Sequence, residues 1–165
     1  MLKVISRFFD HVIDIMAFFA RLIIAFIALL IVIDIITINF FNYSYPWILE
    51  VTEYLLAAFP LLGAAYLLKQ DGHIKLDLFL NKLRERKRFF LETINSCIGL
   101  IISLIITVSG FFTTWGLYER GVRTESILEV PRFLLIVIIP ISFMFLSIQF
   151  SKKLLHVFKK IRGTS

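Results

Sequence analysis

The sequence predicts an all-α membrane protein, with four transmembrane helices, amphipathic interfacial segments and both termini in the cytoplasm. Three observations predict it. Of 165 residues, 59% are hydrophobic, and the mean hydropathy is +0.87, where soluble domains are nearer half apolar. Four runs, at about 15–38, 47–68, 91–117 and 133–150, approach or exceed the ~20 apolar residues that a helix needs to cross a bilayer. The basic residues gather on alternate sides of these runs. Little chain is left over for a soluble domain, so 1–165 reads as a single four-helix integral membrane domain.

The net charge of +6 is informative by position. Lys3 and Arg7 precede the first run, the loop 69–90 is strongly basic, and Lys152, Lys153, Lys159, Lys160 and Arg162 follow the fourth. The first outer connection has no basic residue, and the loop 118–132 has only Arg120, Arg123 and Arg132. Cytoplasmic loops carry the excess of Lys and Arg, so the termini and loop 69–90 are expected inside and loop 118–132 in the periplasm. This topology accounts for the charge without a nucleic-acid partner. The single cysteine, Cys97, excludes an intrachain disulfide. The N-terminal run is too long for a signal-peptide core and lacks a small-residue cleavage site, so it is expected to stay as the first helix.

Leu2, Ile5, Phe9, Val12 and Met16 recur every three or four residues, opposite Lys3, Arg7, Asp10 and Asp14. This amphipathic lead-in is expected to lie along the inner membrane surface before the chain turns inward. The outer connection NFFNYSYPW supplies an interfacial aromatic belt, and Pro46 suits the first turn of the second helix. Pro60 and Gly63 predict a kink in that helix. In the third run, Asn95, Gly99, Ser103, Thr107, Gly110 and Thr114 follow at intervals of four, four, four, three and four. One helix face is then small or polar throughout, fit for close approach of a neighbouring helix or of a partner subunit.

Four ionisable residues fall within the spans. Arg21 lies one or two turns inside, where its stem reaches back to the headgroups. Asp34, Glu50 and Glu53 lie near the outer ends, where water and the start of the second helix make carboxylates less costly. Arg120, Arg123 and Arg132 share that side and are expected to pair with them. None of the three carboxylates is placed at the midplane, where transport sites usually lie.

Between the second and third runs stands KQDGHIKLDLFLNKLRERKRFF. Gly72 gives a turn, and Ile74, Leu76, Leu78, Phe79, Leu80 and Leu83 mix with Lys75, Asp77, Lys82, Arg84 and Arg86. A short helix at the cytoplasmic interface, cations toward anionic membrane lipids, fits this pattern. Asp71, His73 and Asp77 are metal-ligand types, but their spacing on this loop does not converge them. His11, His73 and His156 lie at or beyond the cytoplasmic ends, which argues against bis-histidine haem. No nucleophile with its base and no phosphate loop is evident, so enzymatic activity and a cofactor in this chain are not expected.

From Glu50 to Pro140 the chain resembles the small membrane subunit, or Q subunit, of tripartite ATP-independent periplasmic (TRAP) transporters. The likeness rests on EVTEYLLAAFPLLGAAYLL running into KQDGHIKLD, with Gly72, His73, Ile74 and Asp77 at the family's glycine–histidine–hydrophobic and aspartate positions. A basic segment, a long third helix, an outer loop and a proline-flanked fourth helix follow in family order. The chain departs from the pattern at Arg132, where an aromatic is expected, and at Ser142, near a usual glycine. The resemblance implies a bacterial inner-membrane complex for uptake of an organic acid, of the sialic acid or C4-dicarboxylate class. A periplasmic substrate-binding protein would deliver it to a large, elevator-type membrane subunit holding substrate and sodium, and this chain would be the scaffold. Glu119, Arg120, Arg123 and Glu125 on the outer loop suit transient docking of the periplasmic protein, though a solvated loop pinned to Glu50 and Glu53 accounts for them more simply. Two rivals are a standalone small multidrug-type exporter, with Asp34 essential, and the membrane anchor of a redox enzyme.

Overall fold

A computed structural model describes residues 2–70 and 85–162, with side chains described for 7–70 and 90–155. The motif residues Gly72, His73, Ile74 and Asp77 and the expected interfacial helix lie outside the described residues. The described chain is helical throughout its spans. The elements are α1 (Leu2–Phe41), α2 (Pro46–Lys69), α3 (Glu85–Glu119), α4 (Arg132–Ile136) and α5 (Ile138–Arg162). Four segments, Arg7–Phe41, Pro46–Lys69, Phe90–Glu119 and Arg132–Leu155, are long and apolar enough to cross a membrane.

The first helix corrects one expectation. The amphipathic lead-in does not turn before the span but continues it, as one helix of 40 residues. No glycine or proline occurs before Pro46, so nothing local interrupts the hydrogen-bond ladder. The helix ends where Asn42 takes a left-handed φ of 49° and its N–H returns to the Ile38 carbonyl at 3.0 Å. Pro46 then opens α2, at a position where no N–H is required. This helix runs through Pro60 to Lys69.

The fourth span is two pieces, which the hydropathy run 133–150 did not divide. Pro140 has no N–H to offer the Ile136 carbonyl, and the helix breaks three residues earlier, at Val137. Beyond the break α5 continues well past the apolar run.

Contacts are most extensive between α3 and α5, then between α1 and α2, and α2 also packs on α5. On α1, Ile13, Met16, Ala17, Ala20, Ile27 and Leu30 are buried, a single face at helical spacing. Large apolar residues on its other faces, such as Phe18, Phe26 and Leu29, are exposed. That is the expected outside of a chain whose solvent is lipid. On α3, only 6% of the most apolar window is buried, so most of this helix faces outward.

Candidate functional site

Three places bring the sequence's polar residues together: the α3–α5 seam, the outer loop and the opposite end of the bundle.

In the seam, Gly99 faces the Phe150 ring. A Cβ added there would stand 2.8 Å from Phe150 Cε2 and nearer still to two other ring carbons. Gly110 meets Pro140, where an added Cβ would lie 3.1 Å from Cδ. Ser103 is fully buried, and so is Ser96, one turn from Gly99 and absent from the predicted face. Thr107 and Thr114 are half-buried and border an apolar groove of about 490 Å³ between α3 and the α4–α5 arm. Asn95 is exposed. The hydroxyls turn back on their own helix: Ser103 donates to Leu100 O, Thr107 to Ser103 O and Thr114 to Gly110 O, at 2.7–3.0 Å.

On the outer side the loop after α3 is tightly built. Gly121, at φ 59°, closes the helix. Thr124 N–H donates to Val130 O and Arg132 N–H to Val122 O, each at 3.0 Å, so the two limbs run antiparallel. Its tip is fastened to α2. Glu50 Oε1 accepts the Ile127 N–H at 2.7 Å and Oε2 the Leu128 N–H at 3.2 Å, while Tyr54 and Ser126 join hydroxyls at 3.1 Å. What holds Glu50 among the described residues is backbone amides, not the expected arginine. Two orphan amides in the turn satisfy Glu50 more directly than a long flexible cation would. Asp34 accepts from Ser44 Oγ at 3.2 Å, and Glu53 is exposed. Arg123 instead lies 3.9 Å from Glu129, and the Trp115 indole N–H donates to Glu119 at 2.8 Å. Arg120 and Glu125 are exposed.

The third place was not singled out in the sequence. Asp10 Oδ1 accepts from Lys152 Nζ at 2.8 Å and from Gln149 Nε2 at 3.1 Å, tying α1 to α5. Lys69 Nζ donates to the Asp10 carbonyl at 3.0 Å and pairs with Asp14, tying α1 to α2. Phe9 adds an edge-on contact with Phe145, ring centroids 6.0 Å apart. About two turns beyond Asp14, the Arg21 guanidinium lies 5.3 Å from the centroid of the Tyr66 ring. The available signal was the four-residue spacing of Asp10 and Asp14 on the polar face of the lead-in. Their partners come from distant helices and carry no local mark.

A family model described as "Tripartite ATP-independent periplasmic transporters, DctQ component" matches residues 27–160, from the middle of α1 almost to the end of α5. The chain belongs to the DctQ family. A search of curated proteins finds none that matches it. DctQ membership makes the chain the small subunit of a TRAP transporter, a transport component of a membrane system rather than a member of an enzyme family. The four apolar segments are the multi-pass body of that DctQ component, and the match includes the outer loop clamped by Glu50 and the α2 and α5 sides of the α1–α2–α5 junction.

Proposed function

We propose that this DctQ chain is the fixed scaffold of its transporter, and that substrate and sodium are bound and moved by a large elevator-type subunit beside it. One observation carries the reading. Seven hydroxyls along the spans, those of Thr37, Ser103, Thr107, Thr113, Thr114, Ser147 and Ser151, donate to carbonyls of their own helices, so these seven do not converge on a common point. A carrier needs convergent polar groups near the midplane; a scaffold needs packed seams and fastened ends. The chain lies in the bacterial inner membrane with both termini in the cytoplasm, as its Lys and Arg distribution favours. The cargo is an organic acid of the sialic acid or C4-dicarboxylate class, delivered by a periplasmic binding protein that touches the outer loop at Glu119, Arg120, Arg123 and Glu125. The Glu50 clamp supports this last step, because a held loop offers a docking surface without an ordering cost.

Gentle purification of the tagged chain from its native membrane, with mass spectrometry of what accompanies it, tests the reading. A large polytopic subunit in equal amount is expected. A chain that arrives alone or only as a homodimer would overturn it in favour of a standalone exporter. Charge reversal of Arg120 and Arg123 together is expected to slow uptake at limiting binding protein, and unchanged uptake would remove the docking role.

A further inference from the structure

We propose that Arg21, Tyr66 and Gln70 form a site for the phosphate of an anionic phospholipid, on the outward face of the α1–α2 pair. The leaflet is the cytoplasmic one on the orientation proposed above; the site itself does not depend on that orientation.

Arg21 is a permanent cation on a membrane-spanning helix, and its side chain is exposed. Close in sequence, Phe18 and Leu22 on α1 and Leu67 beside Tyr66 on α2 are large, apolar and exposed, as lipid-facing residues are. The two carboxylates nearest in sequence are engaged elsewhere, Asp14 by Lys69 and Asp10 by Lys152. Among the described residues Arg21 has no ion-pair partner; its recorded contact is with the face of Tyr66. A cation–π contact offsets only part of the cost of holding a guanidinium at the hydrocarbon edge. An anion that resides there supplies the remainder, and a bilayer presents one in its phosphodiester groups.

The neighbouring donors fit that anion. Gln70 Nε2 donates to the Tyr66 hydroxyl at 2.5 Å. With the amide as donor in that bond, the phenol keeps its own O–H to donate. The guanidinium carbon, 5.3 Å from the ring centroid, and the phenol O–H on the ring's rim thus border one ring. Arg is suited to phosphate because its planar fork makes two parallel bonds. The preference for a net-negative lipid follows from charge: no carboxylate among the described residues is placed at Arg21 to receive the ammonium of a zwitterionic headgroup.

The test is a lipid titration read by native mass spectrometry, on the full chain with whatever subunits co-purify. Phosphatidylglycerol is the probe and phosphatidylcholine the comparison. The wild type is expected to bind phosphatidylglycerol the more tightly. Arg21→Gln is expected to weaken it about tenfold or more, and Tyr66→Phe, which keeps the ring and removes the hydroxyl, several-fold. Arg132→Gln, at the opposite rim, is expected to leave it unchanged. Wild-type affinity in Arg21→Gln, or equal affinity for the two lipids, would overturn the proposal. If Arg21→Gln fails to fold, Tyr66→Phe decides, and unchanged affinity there would overturn it. An Arg21→Gln chain that keeps its lipid but loses a co-purifying subunit would also overturn it, and would assign Arg21 to a protein carboxylate. A chain that purifies alone but binds lipid as described would sink the scaffold reading and leave this site standing.

Discussion

Glu50 holds Ile127. The carboxylate near the start of α2 accepts the amide of a residue 77 positions later, and with it the amide of Leu128, so the tip of the outer loop is fixed to a different helical hairpin.

Removing that clamp frees the loop without unfolding the bundle. In Glu50→Ala, amide exchange at Ile127 and Leu128 is expected to accelerate, while exchange in the α3–α5 seam stays as in the wild type. Glu50→Gln keeps one acceptor oxygen and is expected to fall between. Uniform loosening of the whole chain would show that Glu50 supports the fold rather than the loop.

Of the two α3 glycines that meet α5, Gly99 is the closer packed, against Phe150. Gly99→Ala forces the ring to move, at a cost of about 1–3 kcal/mol from overpacking. The measurement is thermal stability in detergent. Adding Phe150→Leu is expected to recover much of the loss, since a flexible aliphatic chain can give way. Gly116→Ala, with nothing within 4 Å of the added carbon, serves as the harmless comparison.

Ser142 is 2% exposed, and its hydroxyl has no hydrogen-bond partner among the described residues. A buried unsatisfied polar group destabilises by roughly 1–3 kcal/mol. Ser142→Ala is therefore expected to raise stability by up to about 1 kcal/mol, allowing for the volume lost. A lowered melting temperature would mean that the hydroxyl is bonded in the membrane.

Asp10 and Lys152 join the N-terminal helix to the last one. Asp10→Asn and Lys152→Met are each expected to cost about 1 kcal/mol, and the double variant less than the sum. Strict additivity would show that the two side chains do not depend on each other.

Asp34→Asn is expected to leave substrate uptake by the assembled transporter intact, because an amide oxygen still accepts from Ser44. Abolished uptake with normal assembly would move this residue from a cap on the α1–α2 turn to the transport chemistry.

Four spans were legible because hydropathy reports length directly, and a lipid solvent leaves apolar residues on every face. The small residues of α3 were visible for a related reason: glycine and serine at intervals of four have few uses on a membrane helix besides close approach. What stayed hidden was pairing across distance. Glu50 reads as a helix-start carboxylate, and nothing local points to Ile127, because its partner is a backbone amide that every residue has. Asp10 and Asp14 likewise read as the polar face of a surface helix. The break at Val137 had a local cause, Pro140, yet hydropathy does not register a missing N–H. The unbroken α1 was legible in the lack of glycine and proline, but its amphipathic start suggested a turn that the backbone does not make.

That continuous helix has a consequence for the membrane around it. Forty helical residues extend about 60 Å, roughly twice the thickness of a bilayer's hydrocarbon core. Asp10 is moored to α5 near one end and Asp34 to the α1–α2 turn near the other. Because Asp10 and Asp14 bind α1 to α5 and α2, any tilt that fits its length to a bilayer is shared by all three helices.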